Sequence, residues 1–341
     1  MNHATHRLSL IAAGMALAAL SACKTAPTQP DLNAKPDIKE TVGSVLMPAG
    51  ANYRLVELAE KGMKPKIYTI VAGMGDPGNE KLLFPADVAR AIGVTPVQIQ
   101  RRFMDTVGKT KRYEVYSTGT SVTADKSDYV VDAMFVSSTQ ELRRVDGGVR
   151  VAVTQVQVNA MLKHRYDEHN QGDKGRADYP VWDAPVEAVG TTGASSGDRM
   201  TLMPGENERD PAVQRRLGVD YERAMQRAFD RLASRIDAEL RPMGKVVGVD
   251  GDGISIVGGA RNGLQRGDEL VVFSAGLTKI GARNEFVNMR PLAAVRCNGV
   301  GSATSQCDVI RRNPKQDVKV GDYVILTDHS ASGARAAAAG L

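Results

Sequence analysis

The chain has 341 residues, of which 42% are hydrophobic and 24% charged, and its formal net charge is +5. This length accommodates two domains. The positive charge permits an anionic partner such as lipid headgroups, but it is too diffuse to specify one. No stretch beyond the N-terminal segment is apolar enough to span a membrane as a helix, which excludes a transmembrane helix as an anchor.

The N-terminus has the layout of a secretory signal peptide. One arginine and two histidines precede an uncharged apolar stretch at residues 8–20, which is too short to cross a bilayer. The stretch ends in Leu-Ser-Ala-Cys, which resembles the lipobox of bacterial lipoproteins, where cleavage leaves the cysteine as the acylated first residue. The sequence therefore predicts a signal peptide at residues 1–22 and attachment to a membrane through acyl chains, such as palmitate, on Cys23.

Residues 23–45 predict a flexible tether, because they are polar and contain three prolines. Lys24 follows the cysteine, whereas an aspartate there is associated with retention at the inner membrane in lipoproteins. We therefore expect an outer-membrane location facing the periplasm.

The first apolar run of the folded part, residues 67–76, is β-branched and bounded by proline and glycine, which predicts a buried strand. The following sequence DVARAIGVTPVQIQRRFM has the spacing of a bacterial helix-turn-helix motif. Thr95 is placed to cap a helix, Pro96 to occupy its first position, and Gln98 to complete a capping box.

Two interpretations of this motif remain open. In a DNA-binding regulator, Gln98, Gln100, Arg101 and Arg102 would be exposed and would meet phosphates or base edges. The export signal and the position between two strands favour the alternative, a glycine-bent helix at residues 85–108 that covers a sheet. Gln98, Arg101 and Arg102 then become candidate contacts for a protein partner. The residues expected to be buried against strands are Val88, Ile92, Ile99 and Phe103.

A long hairpin is predicted next. After a short strand in KRYEVYST, two strand-like runs at residues 128–144 and 149–166 are joined by Val-Asp-Gly-Gly, and Asp-Gly is a hairpin signal. The apolar alternation of the second run slips at Thr154 and Gln155. We expect a β-bulge there, because it keeps both halves facing one core.

The segment at residues 164–208 is polar, rich in glycine and too long for an ordinary connection, so we expect a functional or oligomeric role for it. Only YPVWDAPVEAV predicts a short strand or docking segment, in which Trp182, the one tryptophan, is a candidate partner-facing residue. His164 and His169 have no neighbours that would fix a metal geometry, so a solvated loop is favoured and no metal site is predicted.

Asp210 and Pro211 begin a long amphipathic helix that ends near residue 240. The opposite face carries arginines, so the pattern predicts a helix packed on a sheet. The apolar positions recur every three or four residues: Val213, Leu217, Tyr221, Met225, Ala228, Leu232, Ile236 and Leu240.

After Pro242 the sequence consists of short strands and glycine turns, which predicts a small β-barrel at residues 242–329. Cys297 and Cys307 flank a loop rich in glycine, serine and asparagine, and an even pair in an oxidising compartment predicts a disulfide that clips a hairpin. The small residues at 330–341 predict a disordered tail.

Catalytic motifs are missing from the sequence. The run TTGASSGD lacks the spacing of a nucleophile elbow, and VDGDGISIVGG fits neither a P-loop nor a dinucleotide-binding fingerprint. We therefore expect no enzyme activity, no catalytic residues and no cofactor.

The order of elements, from lipobox and tether through KIYTIVAG, RYEVYS, DYVVDAMF and VRVAVTQVQVNAML to a helix ending AFDRLASRI, resembles a family of bacterial envelope lipoproteins. This family includes the curli-secretion lipoprotein CsgG, the penicillin-binding-protein activator LpoB and part of the flagellar protein FlgT. The resemblance implies an α+β fold with a mixed sheet and packed helices over residues 46–241. The C-terminal part is similar to the SH3-like barrel of the flagellar member.

In this family the work is binding and assembly. We therefore expect a non-catalytic lipoprotein that binds envelope or secretion proteins, with a homo-oligomer as one arrangement and no nucleic acid as partner. A secretion channel of the CsgG type is a second hypothesis, but residues 179–208 offer at most one strand for a pore hairpin. A helix-turn-helix DNA-binding regulator is a third hypothesis, and a glycan binder acting through the barrel is a fourth.

Overall fold

A computed structural model describes residues 45–72, 94–117, 120, 126–167, 176–193, 199–280, 283–313, 316–331 and 333. These residues form a mixed sheet with packed helices and a closed six-stranded antiparallel barrel, which confirms the α+β class and the C-terminal barrel. The expected signal peptide, Cys23 and most of the tether and tail lie outside the described residues. Val88, Ile92 and His169 lie outside them as well.

In chain order the elements are α1 (Tyr53–Glu60), β1 (Lys66–Ala72), α2 (Pro96–Gly108), β2 (Glu114–Ser117), β3 (Tyr129–Arg144), β4 (Arg150–Asp167), β5 (Arg176–Pro180), β6 (Val186–Thr191), β7 (Met200–Leu202), α3 (Pro211–Glu239), β8 (Met243–Asp250), β9 (Gly253–Val257), β10 (Glu269–Ile280), β11 (Arg283–Val300), β12 (Thr304–Arg312) and β13 (Tyr323–Leu326). Among these residues, no helix has both the length and the apolar character needed to cross a membrane.

The sheet has β1 between β2 and β3, both parallel to it, and β4 antiparallel to β3. The far edge of β4 pairs in turn with β5, β6 and β7. The expectation of at most one strand in this part of the chain is therefore wrong. β4 has 18 residues whose backbone groups need partners, and the segment that follows supplies them by folding back along its edge.

The β3–β4 hairpin is as expected, and its turn uses Gly147 and Gly148 at φ of 74° and 76°, which glycine adopts without strain. The expected β-bulge at Thr154 and Gln155 is wrong. The register shifts on the partner strand, at Val136, while β4 keeps an unbroken alternation. Thr154 points inward because its hydroxyl has a buried hydrogen-bond partner, so a polar residue occupies a core position.

Helices α2 and α3 cover the sheet, whereas α1 packs against strands β8 and β11 of the barrel. Thr95 and Gln98 form the expected capping box at the start of α2. Ile99 and Phe103 are buried as expected, and the Phe103 ring lies 4.9 Å from the ring of Phe229 on α3, centroid to centroid. The eight apolar residues predicted along α3 are all buried.

The barrel closes in the order β10-β11-β12-β9-β8-β13. Cys297 and Cys307 lie directly opposite each other on β11 and β12 and form the expected disulfide. One core lies inside the barrel, while Phe273 and Tyr323 belong to the core that lies between the sheet and the helices. That core therefore continues across Pro242, so the expected domains at residues 46–241 and 242–329 share buried side chains.

Candidate functional site

The candidate partner-facing residues have different surroundings. Gln98 and Arg101 are exposed, although the Gln98 side chain accepts a hydrogen bond from the backbone of Thr95. Arg102 forms an ion pair of 3.0 Å with Glu222 on α3, so its charge is already partnered within the chain. Of these three residues, Arg101 alone keeps an exposed charge with no ion pair inside the described ranges.

Gln100 and Trp182 are buried, whereas both were expected to be exposed. The Gln100 side chain is only 7% exposed, because its amide accepts from Val71 N and donates to Thr69 O, both at 2.8 Å. The Gln100 side chain thus hydrogen-bonds the backbone of β1 just beyond the residues that pair with the short strand β2. Trp182, a candidate partner-facing residue, is 8% exposed, packs in the sheet core and donates a side-chain hydrogen bond to Glu239, so its side chain is buried within the chain.

An open cleft of about 320 Å³ lies between the first half of α3 and β7, and we name it the arginine cleft. The residues on α3 recur at three- and four-residue spacing, which places them on one face of the helix. The others reach the cleft because β7 pairs with β4 directly beside that helix. The lining residues are Arg199, Met200, Thr201, Arg216, Val219, Asp220 and Arg223.

One of the three arginines is held in place. Arg216 forms an ion pair of 2.6 Å with Glu206 and also donates to the carbonyl oxygen of Thr201. This ion pair, together with a hydrogen bond from Met203 N, lowers the pKa of the Glu206 carboxyl, so the pair stays charged. Arg199 and Arg223 are exposed and make no hydrogen bond or ion pair within the part of the chain that the structure describes.

The floor of the arginine cleft is a buried carboxylate. Asp220 is 1% exposed, and its Oδ2 accepts hydrogen bonds from the hydroxyls of Thr154, at 2.5 Å, and Thr192, at 2.7 Å. Gln140 in turn donates to the Thr154 hydroxyl at 2.8 Å. Asp220 Oδ1 has no hydrogen-bond partner among the described residues. The cleft therefore combines positive charge at its rim with a negative charge at its base.

A second cleft, of about 300 Å³, lies between α1, the end of β4 and the β10–β11 hairpin. His164 lines it and is buried on β4, with its ring 4.7 Å from the Tyr129 ring, so the expected solvated loop is wrong for this residue. Burial, with the nearby charges of Arg54 and Arg283, lowers the pKa of His164 to about 3. Nowhere in the described ranges do three or more histidine, cysteine, aspartate or glutamate side chains cluster as metal ligands would.

No protein-family model matches the chain, and no curated protein matches it. Solved structures that match part of it include a hypothetical protein from Chlamydia trachomatis, at 8% identity and a TM-score of 0.22, covering 50% of this chain and 96% of that one. A minor lipoprotein from Acinetobacter baumannii matches at 9% identity and a TM-score of 0.20, covering 51% of this chain and 88% of that one. Neither likeness is strong enough to assign the fold or the function of this chain.

Asp220, Arg223 and Arg199 were not predicted from the sequence to line one cleft. A signal for Asp220 was present, because this charged residue lies three positions after Leu217, inside the apolar stripe of α3. A carboxylate at a core position marks a polar network or a site. Arg199 carried no such signal, since its place beside α3 depends on the pairing of β7 with β4.

Proposed function

We propose that the chain is a non-catalytic outer-membrane lipoprotein, facing the periplasm, that binds a protein of an envelope or secretion machinery and assists its assembly. The observation that carries this proposal is the Leu-Ser-Ala-Cys pattern at residues 20–23 followed by a proline-containing tether. Together they provide an anchor and a spacer, and the arginine cleft provides a candidate binding face on the folded part. The resemblance in element order to CsgG, LpoB and FlgT, including an SH3-like barrel, agrees with a role in binding.

The anchor is tested by labelling cells with an alkynyl palmitate analogue and separating their membranes. Label and outer-membrane recovery are expected for the native chain and lost in Cys23→Ser. The matched control is the double variant Cys297→Ser, Cys307→Ser, which lacks the other two cysteines and should still be labelled. A native chain that carries no lipid, or that keeps its signal peptide, would contradict the proposal.

The binding role is tested with a photo-crosslinking amino acid in intact cells. Val219 in the arginine cleft is 45% exposed, and Val247 on the barrel is 46% exposed, so the two positions present the probe equally. Crosslinks to an envelope protein, or to a second copy of this chain, are expected from position 219 and not from position 247. Equal crosslinking from both positions, or crosslinks to nucleic acid, would count against the proposal.

A further inference from the structure

The arginine cleft has a charge pattern that a small anion does not match. Its three guanidinium groups lie at the exposed rim, and the Asp220 carboxylate lies at the buried floor. A free phosphate drawn into the cleft would approach that carboxylate and be repelled by it. Ligand groups that keep their negative charges at the rim and place neutral groups toward the floor avoid this repulsion.

The cleft also offers apolar contact. Val219, on the turn of α3 between Arg216 and Arg223, is 45% exposed, and Met200 is partly exposed across from it. Apolar side chains among arginines are typical of protein-binding surfaces, in which an apolar centre is surrounded by polar groups. A phosphate or a sugar would leave this apolar surface unused.

The arginines are suited to carboxylates. Each guanidinium presents a planar set of donors that can bind a carboxylate through two parallel hydrogen bonds. Arg199 and Arg223 make no such bond within the described ranges, so they are available to a ligand.

We infer that the arginine cleft binds an extended, acidic peptide segment of a partner protein, with its carboxylates on the rim arginines and its apolar side chains against Val219 and Met200. This inference rests on the proposed binding role and names the chemistry of the partner. Asp220, which lines the cleft, has no donor to its Oδ1 among the described residues, and a backbone N–H of such a segment is a donor of the kind that this oxygen lacks.

The test measures binding of the peptide acetyl-(Glu-Leu)₃-amide to the full chain in detergent by isothermal calorimetry. The variant Arg199→Ala, Arg223→Ala should bind it at least about tenfold more weakly than the native chain. The matched control Arg215→Ala, Arg235→Ala removes two exposed arginines of α3 that lie outside the cleft, and it should change affinity by less than about twofold. Circular dichroism checks that all variants fold.

The ligand class is tested in parallel with three further probes. The peptide acetyl-(Gln-Leu)₃-amide, inorganic phosphate and mixed micelles that contain phosphatidylglycerol should each bind more weakly than the acidic peptide. Equal losses in the cleft and control variants would overturn the inference, as would phosphate or phosphatidylglycerol micelles binding more tightly than the peptide through the same arginines. If position 219 crosslinks to an envelope protein in cells while the acidic peptide fails to bind, the inference is wrong and the proposed function stands.

Discussion

The two cores of the molecule differ in how they treat polar groups. The core inside the barrel consists of aliphatic side chains and the disulfide. The core between the sheet and the helices borders buried polar side chains that hydrogen-bond one another or the backbone, such as Gln100 of α2, which bonds the backbone of β1, and Asp220 beside Thr154 and Thr192. Polar groups in a core contribute specificity at a cost in stability. The barrel region also buries polar side chains, Asn262, Asp268 and Ser305, but each hydrogen-bonds nearby backbone. The cleft for which we propose a binding role lies beside the sheet.

The barrel and the mixed sheet also differ at their strand edges. The barrel has no free edge, because its strands close on themselves. The outer edge of β6 carries free carbonyl groups, and α3 covers two of them: Arg227 donates to Thr191 O at 2.5 Å and Arg231 donates to Val189 O. α3 thus protects this edge with the same kind of side chain that lines the cleft.

The largest effect is expected where α3 and β6 come closest. A Cβ atom added at Gly190 would lie 1.7 Å from Ala224 O and 2.6 Å from Ala228 N, and both are backbone atoms of α3. Gly190→Ala must therefore separate the helix from the sheet and should lower the free energy of unfolding by at least about 3 kcal/mol, measured by urea denaturation. Gly108→Ala is the control, because its Cβ would meet Val115 at an ordinary 3.6 Å. A loss below about 1 kcal/mol for Gly190→Ala would contradict this contact.

Removal of the disulfide is expected to have the next largest effect on stability, and it tests the barrel alone. Removing a crosslink that joins residues 10 apart should cost about 2–3 kcal/mol, through the greater freedom of the unfolded chain. The double variant Cys297→Ala, Cys307→Ala should show faster hydrogen exchange in β11 and β12 than the native chain, with little change in β3 and β4. Loss of protection in β3 and β4 to the same extent would show that the two cores unfold together.

His164 makes the sheet core sensitive to acid. Its pKa is about 3 in the folded chain and 6.5 in the unfolded chain, so below pH 6.5 the unfolded chain takes up a proton that the folded chain excludes. The contribution of His164 to the free energy of unfolding is therefore fully present above pH 6.5 and is lost as the pH falls toward 3. Between pH 7 and pH 4.5 this one group should cost about 2–3 kcal/mol.

The test compares the native chain with His164→Phe, which keeps an aromatic ring against Tyr129 and cannot titrate. The native chain should lose more unfolding free energy than the variant between pH 7 and pH 4.5. Other groups with shifted pKa values, such as Glu239 and Asp268, contribute to both chains and cancel in the difference. Parallel pH profiles of the two chains would show that His164 is protonated while buried.

Local patterns predicted much of this fold, and non-local pairing explains the failures. The three- and four-residue spacing along α3, the capping box of α2 and the cysteine pair around a polar loop each depend on residues close in sequence. The strands β5 to β7 depend on the free edge of β4, which no local pattern reveals. Gln100 and Thr154 were misplaced for a related reason, since each is buried through hydrogen bonds to residues 29 or more positions away.

The smallest effect is expected in α2, the helix whose sequence resembles a recognition helix. There the contribution of the helix cap to stability can be compared with that of tertiary packing. Thr95→Ala removes the hydroxyl that accepts from Gln98 N at 3.3 Å, and it should cost about 1 kcal/mol, whereas Thr95→Ser keeps the cap and should cost less. Ile99 and Phe103 remain buried in both variants, and their burial supplies more stability to α2 than its cap does. A loss well above about 2 kcal/mol for Thr95→Ala would mean that α2 depends on its cap rather than on its packing against α3.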